Sequence, residues 1–316
     1  MWKWINGLAI GLLVLVIAVR VADRLSRRTQ PLPAVPQANG YDRLLEAANK
    51  AAPPPHDLAD LSAEAVRDLF QQNQPTLQTI REGLAMDCRV PLQTETGWAD
   101  KHAEDLRKLK RLGVLLALEG RAVMLEGRTN ETWQSSLDLI RLGQALSRGG
   151  LLIDGITGMT LETVGTASLQ AMIPQMAAAD CRKAVQALEE LEARRSSSDQ
   201  ISQNEKIWSA RRFGLVDRLG ALTMRQSMLK RHSEFQQRYE EICRRTRRLE
   251  LRLAARACEL ETGKRPGSAT ELVPALLKAL PIDPSTGKPM EEIPPVPALS
   301  GTSRQTAATP PPISAP

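Results

Sequence analysis

Asp100, His102, Glu104 and Asp105 crowd the start of one apolar stripe, and they form the densest group of acid and imidazole side chains in the chain. On a helix Asp100 and Glu104 share a face, so the group could carry protons or hold a cation if a second segment supplied partners. A metal would need two further well-placed ligands, and only His56 and His232 remain. Acids in a first helical turn already have a reason in the helix dipole. No metal and no cofactor are expected. Asp154 is the one acid inside SRGGLLIDGITG, residues 147–158, and is a candidate buried polar residue. The glycines of that stretch imitate a phosphate loop, but the G-K-[ST] ending and a preceding strand are missing. The simpler reading is a helix break at Gly149 and Gly150, with Gly155, Gly158 and Gly165 forming a thin surface for close packing. An enzyme would need Asp154, His102 and Glu104 brought into one cleft. No Ser-His-Asp, Cys-His or H-E-x-x-H arrangement can be read locally, so no catalytic residue is assigned.

Charge supplies the other chemical feature. Residues 225–256 hold ten Lys or Arg against Glu234, Glu240, Glu241 and Glu250, a surplus that equals the net charge of +6. Arg244, Arg248, Arg252 and Arg256 recur every fourth residue and so form one ridge, which could meet anionic lipid, an acidic protein surface or nucleic-acid phosphates. Internal pairs such as Glu240 with Arg244 and Glu241 with Arg245 favour a solvated or inter-helix face. The scarcity of stacking aromatics disfavours nucleic acid.

The elements that must position these groups are helical. Leu, Ala, Arg and Glu dominate, and aromatics make up 3% of 316 residues, which favours helices over strands. Val66, Phe70, Asn73, Leu77, Ile80 and Leu84 form one stripe that Pro75 should kink or restart. The next runs from Trp98 through His102, Leu106, Leu109, Gly113, Leu116, Gly120 and Val123 to a Gly127 cap. Thr129 or Asn130 should cap a third helix with Trp133, Leu137 and Ile140. A fourth should run from Leu151 to Ile173 and stop at Pro174, and Asp180 should cap a fifth. Gln200 to Thr262 reads as one very long helix or two stacked ones, with Tyr239, Ile242, Thr246, Leu249, Leu253 and Leu260 as its seam. An all-α fold follows: an irregular bundle or short α-solenoid with a long C-terminal helix.

The chain starts with an apolar run from Trp4 to Val19, close to the roughly 20 residues that a spanning helix needs. Trp2 and Trp4 mark one interface, and Arg20, Arg24, Arg27 and Arg28 the other. We therefore expect a transmembrane anchor over residues 1–28, a proline-rich linker with a short helix over 29–57, a helical domain over 58–292 and a disordered tail over 293–316. The side of the membrane facing the body stays open. Cys88, Cys181, Cys243 and Cys258 lack metal spacing. Cys243 and Cys258 lie about 22 Å apart along one helix, beyond disulfide reach. Cys88 and Cys181 are either bridged or buried free thiols.

In Gly263 to Pro289, the residues Gly263, Pro266, Leu272, Pro281, Asp283, Pro284, Gly287 and Pro289 resemble the post-helix phrase of type II secretion major pseudopilins. Arg265 stands where an aromatic would precede the proline, and Ser285 with Thr286 where a tryptophan would be. The basic leader, Gly-Phe processing site and early glutamate of pilins do not occur, so the resemblance stops at this stretch. Taken with CRVPL at 88–92 and the N-terminal apolar run, the chain is similar to uncharacterised bacterial single-anchor helical proteins. That likeness implies the architecture and no activity. By its own residues, Gly263 to Pro289 reads as a closing element in which Ser268 and Glu271 form a capping box for a short helix. The expected role is protein interaction or scaffolding at a membrane, with a protein partner, and with anionic lipid or an acidic surface as a further partner class.

Overall fold

The computed structural model describes residues 21, 31–52, 58, 60–128, 131–213 and 225–295. The chain is an irregular helical bundle, and among the described residues no helix is long and apolar enough to cross a membrane. The expected anchor lies outside the described residues except for Val21, as do residues 53–57 of the expected linker, the proposed caps Thr129 and Asn130, and 296–316 of the expected tail.

The first four helices are α1 (Gly40–Lys50), α2 (Ala63–Gln72), α3 (Gln74–Ala85) and α4 (Trp98–Leu125). The short helix expected within the linker over 29–57 is α1, but it packs into the body instead of lying in a spacer. Asn39 caps it, and Tyr41, Leu44 and Ala47 are buried in the same core as Val66, Leu77, Ile80 and Leu109. The stripe from Val66 to Leu84 is broken at Asn73, because Pro75 in the first turn of α3 has no N–H to continue α2. The buried Asn73 side chain donates to the Leu69 carbonyl and accepts the Ala52 N–H. The CRVPL phrase is an extended strap. Its Arg89 exchanges two hydrogen bonds with the Asn39 amide, and the Val90 N–H reaches the Arg148 carbonyl.

Helices α5 (Thr132–Ser147) and α6 (Leu152–Met172) pair along a seam of glycines. Within α5 all residues but Gln134 and Arg141 are buried. Leu139, Leu142 and Leu146 join the first core, whereas Trp133, Leu137 and Ile140 face a second. Gly143 faces Gly158, and Gly165 faces the Ser136 carbonyl. The third glycine of the expected set, Gly155, lies instead against Phe235 and Ile201. A single 3-10 turn containing Pro174 follows α6.

The second core is completed by α7 (Ala178–Ala193) and by α9 (Arg225–Thr262), with α8 (Ser198–Arg212) between them in sequence. Asp180 is not the cap expected for α7, since the helix starts two residues earlier and Asp180 sits in its first turn. Ser197 and Gln200 form a capping box for α8. The stripe of α9 is buried from Tyr239 to Leu253, but Leu260 is exposed. All four cysteines are free, Cys88 and Cys181 among them.

Gly263 to Pro289 closes the second core. Ala269, Leu272 and Leu277 are buried there, and Ile293, expected in the tail, packs beside them. The capping box expected at Ser268 is not formed: Ser268 Oγ contacts Thr270 Oγ1, Glu271 accepts from the Gly267 N–H, and the helix is a 3-10 turn over Ala269–Leu272. Asp283 accepts the Ser285 N–H and hydroxyl at 2.8 and 2.6 Å, which holds its carboxyl down at a pKa of about 2 and tightens the turn closed by Gly287.

Buried ions tie α6, α7 and α9 together. Glu162 and Arg195 are 1% and 6% exposed, with Glu192 completing the cluster and Arg247 behind it. Glu250 is buried nearby, and burial followed by repulsion from Glu192 and Glu189 pushes its pKa up to about 8. Between pH 4.5 and 8 the folded chain therefore holds a proton that the unfolded chain has released. Stability should fall as pH rises across that window. We expect Glu250→Gln to remove the loss and to be the more stable form above pH 8, by on the order of a few kcal/mol. Urea denaturation at pH 5 and pH 8.5 measures this, and equal slopes against pH in both proteins would refute it.

Candidate functional site: an aromatic cleft over a buried Asp–His pair

Gly97, at φ +84, turns the chain into α4 in a conformation that favours glycine. Trp98 follows at once, and its ring stacks on His102 one turn later with centroids 4.5 Å apart. The break at Gly149 and Gly150 aims the start of α6 at this face. Asp154 then reaches back from its first turn to accept the Leu151 N–H at 2.7 Å, as a third-position acid in a capping box does. Its other oxygen lies 2.7 Å from His102 Nε2.

Helix α8 brings two more groups. Glu205 accepts the Leu152 N–H at 3.1 Å, and burial pushes its carboxyl pKa up. Trp208 donates its indole N–H to the Gln93 carbonyl at 2.7 Å and packs between Trp98 and Phe213. From α9 come Arg231, Glu234, Phe235 and Arg238, whose spacing places them on one helix face. Together these elements enclose a cleft of about 460 Å³. Ile153 and Ile156 stand at its edge 49% and 42% exposed.

The structure therefore joins two of the three groups that an enzyme would need. His102 and Asp154 meet, whereas Glu104 points to solvent and pairs with Lys108 at 3.1 Å. Asp100 is exposed, and Asp105 is half-buried outside the cleft lining. No hydroxyl or thiol side chain lines the cleft among the described residues. The evident mechanical role of the pair is to pin α4 to the first turn of α6.

Three of the four ridge arginines are engaged within the protein. Arg244 pairs with Glu241 at 2.6 Å and Asp283 at 3.4 Å, Arg252 donates to Gln170, and Arg256 reaches Glu259 and the Pro174 carbonyl. Arg248 is exposed. No group of acids, histidines and cysteines suited to a metal occurs among the described residues. Sequence reasoning missed Trp208 and Glu205. The signal available for them was a lone tryptophan in the polar stretch SDQISQNEKIWSARR, which has no helical periodicity to explain it. No family model matches the chain, nor does any curated protein or solved structure.

Proposed function

We propose that this chain is a membrane-tethered helical scaffold whose body docks a protein partner in the aromatic cleft. The observation that carries the reading is the exposure of Ile153 and Ile156 beside the walls made by Trp98, Trp208 and Phe235. Large apolar side chains gathered at a concave, aromatic-lined site mark recognition surfaces. The occupant is a partner segment that presents large apolar anchors, with Arg231, Glu234 and Arg238 available at the rim for polar contacts. The tether is the apolar run from Trp4 to Val19 with its arginine flank.

A photocrosslinking residue in place of Ile156 tests the docking face, with one in place of Met124, which is 52% exposed elsewhere, as its control. We expect the Ile156 position alone to give a discrete adduct in cells, and Ile153→Lys to abolish it. Absence of the adduct, or identical adducts from both positions, would remove the proposal.

A further inference from the structure

Between α9 and the Asp283 turn lies a second hollow of about 540 Å³, lined by Arg248, Arg252, Lys288 and Thr286 among others. Arg248 and Arg252 are one helical turn apart, an arrangement that costs stability unless an anion lies between them. No acid forms an ion pair with Arg248, Arg252 or Lys288 among the described residues. Asp283, on the same wall, is already held by Arg244 and by the Ser285 hydroxyl and N–H. Glu291 and Glu292 also line the hollow, exposed and unpaired with these cations.

Arg252 is the telling group. One of its terminal nitrogens donates to the neutral Gln170 amide at 2.5 Å, and its Nε–H is buried without any acceptor. Burial and then repulsion from Arg248 push its pKa down, the reverse of the rise that a carboxylate partner gives to Arg81 and Arg195. Buried donors in folded proteins almost always find a partner. Here a guanidinium is set beside another cation with a donor unsatisfied.

We infer that this hollow binds a phosphate group, held by the Arg248 and Arg252 guanidinium groups and the Lys288 ammonium. A phosphate monoester carries about −1.5 to −2 charge and offers three acceptor oxygens. A carboxylate brings one charge and two oxygens, too few to bridge the Arg248 and Arg252 guanidinium groups and the Lys288 ammonium together. The phosphate belongs to a lipid headgroup or to a soluble phosphorylated compound. The hollow shares no residue with the aromatic cleft, so either assignment can fail while the other stands.

The test is calorimetric titration of the full chain in neutral detergent, at constant ionic strength, with inorganic phosphate, glycerol 3-phosphate and dihexanoyl phosphatidic acid. Saturable binding is expected, weakened about tenfold or more in Arg248→Gln and in Lys288→Gln, as loss of one charge-assisted hydrogen bond implies. Arg245→Gln, which removes an exposed cation paired with Glu241 outside the hollow, should bind as the parent does. Tighter binding of the lipid phosphate than of glycerol 3-phosphate would assign the headgroup, and equal binding a soluble compound. No binding of any probe, or equal binding in Arg248→Gln and Lys288→Gln, overturns the site. Because both substituted side chains are surface-facing or at the rim, the outcome does not hang on whether Arg252→Gln folds.

Discussion

Arg195→Ala is expected to destabilise the folded chain by about 3 to 5 kcal/mol, the cost of leaving a buried charge without its partner. The guanidinium reaches Glu162 with two nitrogens, at 2.5 and 3.2 Å, and Glu192 with a third at 2.7 Å. It also lies over the Tyr239 ring at 5.7 Å. Burial alone would lower the Arg195 pKa, but Glu162 and Glu192 raise it well above its ordinary value, so the group stays charged. Glu162 is fully enclosed, and burial pushes its carboxyl pKa up even beside Arg195, so removing Arg195 takes away the main counterweight to that burial. Replacing both members, as Glu162→Met with Arg195→Met, should recover much of the loss, because a matched apolar pair carries no uncompensated charge. Urea denaturation of the single and double variants decides the matter, and a single variant within about 1 kcal/mol of the parent would contradict the cluster's role.

A second large effect is expected at Gly158. A Cβ there would fall inside contact distance of both Ser147 Oγ and the Gly143 carbonyl, and one at Gly143 would lie 2.5 Å from the Gly158 carbonyl. A side chain can rotate aside, but a helix carbonyl can retreat only if α5 and α6 separate along their length. Gly158→Ala should therefore cost about 3 kcal/mol, at the upper end for overpacking. Gly120→Ala is the natural comparison: its nearest neighbour would be 3.5 Å away, and helix propensity favours alanine. Equal thermal midpoints for the Gly158 variant and the parent would refute close packing at the seam.

Much of the helical layout was legible because periodicity reports burial directly. The stripe from Trp98 to Val123 predicted α4, and the glycines at 149 and 150 predicted the break before α6. Asp154 stood out as a polar residue in an apolar run, and it is fully buried. Its partner could not be read, because His102 is 52 residues away and only the crossing of α4 and α6 brings them together. The arginine ridge was legible only as a shared face. Spacing showed that the four guanidinium groups share a face, but not that Glu241, Gln170 and Glu259 would meet three of them. At Ser268 the capping pattern was present, yet the segment lacks the length and the free N–H groups of a true helix. The tight 3-10 turn and the Asp283 hairpin satisfy the backbone instead.

The seat of α5 has a consequence for how the molecule comes apart. Leu142 and Ile140 lie on opposite sides of one helix, each fully buried in a different core. The glycine seam with α6 leaves that helix no room to slide or turn. Loss of order in either core strips one side of α5 and exposes apolar surface that the other core cannot hold alone. The two cores are therefore thermodynamically coupled through α5, and we expect a single calorimetric transition for them in which a weakness anywhere along that helix is felt by both.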